Sequence, residues 1–166
     1  MAQSSQRNQV PKSVIGAAGE HFVMYQLYRR GIMVGQPPQG VPEIDLIVLD
    51  ESARVIKNLQ VKTTTRGARG GWPMNEKHET RESANLMYVF VDMSLPLPEC
   101  YIIPSRVVAR AVKASHKAWL SKPGKDGHRR NENPMRKIRP AYPSKPREFP
   151  SGWMDEFRER WDLLHD

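Results

Sequence analysis

Asp45, Gln60 and Lys62 are the side chains whose types and spacing best suit shared chemistry in this sequence. A carboxylate and an amide oxygen are both hard donors that a small divalent cation accepts, although the amide brings no charge. An ammonium two residues beyond the amide falls on the same face of a strand and offsets negative charge there. The three must first be brought together, and the surrounding pattern does this. Two runs rich in Ile, Val and Leu, within 43–50 and 54–65, flank the short polar break Glu51-Ser52-Ala53, the pattern of an antiparallel hairpin. With the turn centred between Ser52 and Ala53, Leu46 faces Leu59, Ile44 faces Val61 and Asp45 faces Gln60. One face is then apolar at its inner end, and the other gathers Asp45, Gln60 and Lys62, with opposed Cβ atoms about 5 Å apart. A slip of one residue would break both faces together.

The elements around the hairpin must position it. Ser13 is placed to cap a helix over 14–30 that ends at Gly31 after two basic residues. Phe22, Val23, Tyr25 and Leu27 supply apolar contacts, and Gly16, Ala17, Ala18 and Gly19 let its backbone approach a sheet closely. Glu20 lies beside those small residues, on or near the buried side, where a bare carboxylate would be costly. It either pairs with solvent or another molecule's arginine, or it reaches the hairpin's polar face. The glycines and prolines of 31–41 make a connecting loop, with room for a short strand at 32–34. Beyond the hairpin, Arg66 to Pro73 is a glycine-rich basic loop whose Arg66 and Arg69 can hold phosphates, with Trp72 expected to cap the core. Lys77-His78-Glu79 reads as a polar surface loop without a role. The run 86–93 has the length and composition of a strand buried on both faces, and 100–103 forms another. Ser105 is placed to cap a second helix reaching Leu120, with Arg106, Arg110, Lys113 and Lys117 toward one side.

Charge bounds the partner. The 166 residues hold 26 Lys or Arg against 18 acids, a net +8, and fit one domain with a tail. The surplus is local: residues 104–150 hold 13 Lys or Arg and 3 acids, leaving the remainder of the chain at −2. A basic stretch of this kind suits a polyanion such as nucleic acid. Residues 121–150, rich in proline, glycine and basic groups, read as an extended loop in which Arg129, Arg130, Arg136 and Lys137 are candidate phosphate contacts. Trp153, Phe157, Trp161 and Leu164 then recur at helical spacing, predicting a final helix over 153–164 that docks on the core or on a second subunit as a homodimer contact. The division expected is a flexible 1–12, a core over 13–120, and a basic loop with its terminal helix over 121–166 on the same domain. The single Cys100 excludes an internal disulfide and a cysteine-based zinc site, and reads as a small buried residue. No run is apolar enough to span a membrane and no signal peptide is apparent, so a cytoplasmic location is expected.

An Asp followed after one hairpin by Gln-x-Lys resembles the core motif of the PD-(D/E)XK nuclease superfamily. Here Pro42-Glu43-Ile44-Asp45 stands for Pro-Asp, and Gln60 for the usual Asp or Glu. Gly16-Ala17-Ala18-Gly19-Glu20 resembles the superfamily's first helix, whose glutamate reaches the metal site. The resemblance covers residues 13 to 120. It implies an α/β restriction-endonuclease-like αβββαβ core, with a mixed central sheet flanked by helices and a basic C-terminal extension. It also implies Mg2+, with Mn2+ as substitute, on Glu20, Asp45 and Gln60, with Lys62 as the catalytic lysine. The activity implied is metal-dependent endonucleolytic hydrolysis of DNA, of restriction, repair, junction-resolving or mobile-element type. The alternatives are a catalytically impaired nucleic-acid-binding protein on the same fold, or a subunit of a larger assembly.

Overall fold

The computed structural model describes residues 10–124 and 127–165, and in it the hairpin is the middle of a larger sheet. The expected flexible N-terminus falls mostly on residues 1–9, outside the described residues. The elements in chain order are α1 (Lys12–Tyr28), β1 (Met33–Gly35), β2 (Leu46–Leu49), β3 (Val55–Thr64), β4 (Trp72–Asn75), β5 (Leu86–Asp92), β6 (Glu99–Pro104), α2 (Ser105–Leu120) and β7 (Met135–Ile138). Among the described residues, β1-β2-β3-β5-β6 form a five-stranded mixed sheet in that order, and β4 pairs with β7 in a small second one. Within the main sheet, β3 and β5 run parallel and the other neighbours antiparallel.

The hairpin has the register its alternation requires: Leu46 pairs with Leu59, Ile47 with Asn58 and Val48 with Lys57. Near the turn a bulge shifts Leu49 onto Val55. The cause is local, since the Asp50 carboxylate accepts the N–H groups of Ser52 and Arg54, both at 2.9 Å, and Ala53 takes a φ of 59°. The parallel link from β3 to β5 carries β4 and two 3-10 turns, Ala68–Gly70 and Glu76–Glu79, rather than an α-helix, and α2 follows β6 instead. Gly67, Gly70, Gly71 and Pro73 make a helix unfavourable in that link.

Two apolar layers lie on the sheet. On one face Val23 and Leu27 of α1 cover Leu46, Leu59, Val61 and Val89. On the other, Val108, Ala111 and Val112 of α2 cover Tyr88, Phe90 and Ile103, and Trp72 closes that core as expected, its indole N–H donating to Val91 O at 3.0 Å. Every residue of β5 is buried, which explains a strand without alternation. Cys100 is buried too.

Four local expectations change. Neither serine caps its helix: proline precedes each one, Pro11 before α1 and Pro104 before α2, with no side-chain cap bond. The Ser105 hydroxyl instead donates to Ser83 O and accepts the Ser83 N–H, both at 2.9 Å, tying α2 to the start of β5. Tyr25 turns outward, 58% exposed. The helix expected over 153–164 is absent, replaced by two 3-10 turns, Asp155–Phe157 and Trp161–Leu164. Pairing with the sheet edge wins there: Arg158 bridges Tyr101, while the Glu159 N–H donates to Cys100 O and the Glu159 carboxylate accepts the Cys100 N–H, both at 2.8 Å. Glu159 needs a φ of 54° to do so, which ends any helix. Among the described residues no helix is long and apolar enough to cross a membrane.

Candidate active site

Asp45 sits just ahead of β2, where the hairpin ladder gives way to side-chain bonding. Its N–H donates to Leu59 O at 2.9 Å, and its carboxylate accepts the Val61 N–H at 2.7 Å. The side chain thereby replaces a missing ladder bond and is fixed to β3. Gln60 and Lys62 pair in register with Tyr88 and Phe90, so they project toward the α2 layer, while Leu59 and Val61 face α1. Gln60 is buried and Lys62 half-buried. Glu20 approaches from the α1 layer, where Gly19 touches Thr63 so closely that a Cβ on it would lie 1.8 Å from the Thr63 hydroxyl oxygen.

Electrostatics connects these side chains. Burial raises the Glu20 pKa above the carboxylate norm, and the charge of Asp45 raises it further. Burial likewise raises Asp45, against the opposing pull of the Val61 N–H, Lys62 and Arg81. Burial lowers the Lys62 ammonium, with Asp45 opposing. Asp45 is thus the junction: it repels Glu20 on one side and attracts Lys62 on the other.

Four residues that carried no role in the sequence reading complete the site. The Arg81 guanidinium donates to Gln60 Oε1 at 3.1 Å and to Glu43 O at 2.8 Å, and pairs with the Glu43 carboxylate at 2.6 Å. Lys77 pairs with the other Glu43 oxygen. Both cations hold the Glu43 carboxyl below its ordinary pKa, the Lys77 hydrogen bond most strongly. Glu43 has a φ of 63°, in the left-handed region that non-glycine residues seldom adopt. His78, expected at the surface, is only 3% exposed, and its Nδ1 lies 2.7 Å from the Tyr88 hydroxyl. Burial and the nearby lysines Lys62 and Lys77 push its pKa down to about 4, so the ring is neutral at pH 7. Only the hairpin part of the cluster has a local signature. Lys77, His78 and Arg81 reach it because the β3–β5 crossover lays them over β3.

The expected phosphate contacts divide. Arg66, Arg69, Arg129 and Lys137 are exposed. Arg130 stacks over Trp119, 4.7 Å from the ring centre, and donates to Trp119 O at 3.3 Å. The Arg136 side chain is 5% exposed and bound to Glu79 and Glu132, so it fastens β7 to the crossover.

Two carboxylates, of which Asp45 raises the pKa of Glu20, and a neutral amide oxygen are the hard donors here. Magnesium suits such a set, because it keeps several waters and takes one or two carboxylates from protein. Among the described residues no group of three His, Cys, Asp or Glu side chains stands close enough to hold a metal ion. By donor type Glu20, Asp45 and Gln60 suit a hard divalent cation, but Glu20 comes from the α1 layer whereas Gln60 lies on the α2 side with its oxygen held by Arg81.

No protein-family model matches the sequence, and no curated protein matches it. The fold is similar to that of a solved structure, the bacterial homing endonuclease I-Ssp6803I, with a TM-score of 0.51 and 15% identity over 92% of each chain. The chain therefore has a mixed α/β fold resembling that of a nuclease.

Proposed function

We propose that this chain is a metal-dependent endonuclease of PD-(D/E)XK type that hydrolyses DNA phosphodiester bonds. The observation that carries the reading is the position of the Asp45 carboxylate, pinned to the Val61 N–H and acting electrostatically on both Glu20 and Lys62. The fold it shares with a homing endonuclease supports DNA as the substrate. A bound divalent cation supplies Lewis acidity and lowers the pKa of water. Glu20, Asp45 and the Gln60 oxygen would hold that cation. Lys62 lies on the Gln60 face, where its ammonium offsets the charge that builds on the phosphoryl oxygens and orients the attacking water. Its lowered pKa makes it a better proton acceptor than a solvated lysine.

Cleavage of duplex, branched and single-stranded DNA with Mg2+ or Mn2+ tests this. Asp45→Ala and Lys62→Ala should each lower the rate by about 10²-fold or more. Activity that survives both changes would remove the site from consideration.

The Arg81 contact favours a second reading, in which the protein binds nucleic acid without cutting it. A guanidinium on Gln60 Oε1 competes with a cation for that oxygen. Manganese titration followed by electron paramagnetic resonance separates the two readings. Binding that Asp45→Ala abolishes supports the nuclease, and absence of binding to the wild type supports the second.

A further inference from the structure

Glu43 is the one acid in the site with no place in the chemistry above, yet two cations hold it. Lys77 and Arg81 converge on its carboxylate from the crossover, one on each oxygen, and both stand near Lys62. Two cations on the two oxygens of one anion are also the arrangement that grips the two free oxygens of a phosphodiester. We infer that Lys77 and Arg81 form a cradle for a backbone phosphate of nucleic acid, and that the Glu43 carboxylate fills it until a phosphate displaces it.

Three observations carry this beyond an ordinary ion pair. Position comes first, because Arg81 Nη1 touches both the Glu43 carboxylate and Gln60 Oε1, so the cradle opens onto the candidate active site. Access is second: the Lys77 side chain is 53% exposed and Glu43 28%, so an anion can reach the pair from solvent. Replaceability is third. Arg81 also holds the backbone carbonyl of Glu43 at 2.8 Å, so the loop stays anchored when the carboxylate swings out. With Glu43 gone, Lys62, Lys77 and Arg81 face only Asp45 among the charges that act on Lys62. The site then has a cationic excess suited to a phosphodiester.

The inference deepens the nuclease reading and rests on it for the identity of the anion, but its test needs neither metal nor cleavage. The full-length protein is titrated with a fluorescent DNA duplex in EDTA, from low to moderate salt. Glu43→Gln should tighten binding roughly three- to tenfold by removing the internal competitor. Glu43→Asn, which tolerates the left-handed backbone, should do the same. The Lys77→Ala/Arg81→Ala protein should bind roughly tenfold more weakly, with its log K against log salt slope smaller by about 2. Thermal melts identify which variants are folded, and the double variant decides alone if the Glu43 variants are not. The cradle is overturned if folded Glu43 variants bind no tighter, or if the double variant keeps its affinity and slope. If these shifts appear while the wild type fails to cut DNA with Mg2+ or Mn2+, the cradle stands and the nuclease reading falls.

Discussion

At Asp45, the proposed metal-binding role opposes stability. Its pKa is raised above 3.8, so the folded protein holds the proton more tightly than the unfolded chain. Stability is therefore lost as pH rises from 3.8 through the raised value, and the whole cost of the buried charge is present at pH 7. Asp45→Asn removes that charge and keeps an acceptor for the Val61 N–H. The expected outcome at pH 7 is a melting temperature higher by about 2–4 °C, the shift that ~1 kcal/mol gives at this length, alongside lost cleavage. The gain should vanish below pH 3.8, and a lower melting temperature at pH 7 would show the carboxylate to be structural. His78 behaves in the opposite sense. Its pKa falls from 6.5 to about 4 on folding, so the unfolded chain binds the extra proton and stability drops as pH falls across that window. The loss amounts to roughly 3 kcal/mol. Denaturant unfolding at pH 7 and 4 measures it, and His78→Phe should reduce the difference between the two by about that amount.

Among the elements, α1 places Glu20 and does so through Gly19. An added methyl would lie 1.8 Å from Thr63 Oγ1 and 2.9 Å from its Cβ, so Gly19→Ala must push the helix off β3. The expected cost is about 1–3 kcal/mol of stability. Manganese affinity should fall with it, because Glu20 is the next residue. Gly16, which meets nothing within 4 Å, is the control, and equal losses for Gly16→Ala and Gly19→Ala would argue against the close approach. The same element shows how much the sequence discloses. Small residues signalled tight docking and alternation fixed the Leu46–Leu59 register, since both are local patterns with one geometric solution. The serine caps failed because the preceding prolines set the backbone at each helix start, with φ of −56° and −57°. Glu43, Lys77, His78 and Arg81 escaped notice for another reason. They converge only because β3 and β5 are parallel neighbours, a pairing of distant segments that no local pattern specifies.

For the molecule as a whole, the last segment decides whether two cores stay closed. Trp153 and Met154 lie in the α2-side core, while Trp161 and Leu164 lie in the α1-side core, so the chain passes round the β6 edge and contributes to both. The helical spacing of 153–164 was a real apolar signal, but it records two buried faces joined by an edge crossing rather than one stripe. That crossing also satisfies the backbone of Cys100 at an otherwise open sheet edge. Trp161 concentrates these contacts: it is 4% exposed, its indole N–H donates to the Glu159 carboxylate at 2.7 Å, and Arg30, in the turn after α1, stacks on it 4.9 Å from the ring centre. Trp161→Ala should therefore cost about 3–5 kcal/mol in denaturant unfolding, as expected for a large buried aromatic. Trp119→Ala, on a half-buried ring at the end of α2, should cost far less. The loss at Trp161 should reach both layers, raising amide exchange in α1 as well as in β6, because the segment braces one while capping the other. Exchange that rises only within residues 155–165 would instead make the C-terminal segment an appendage that can leave without disturbing the sheet.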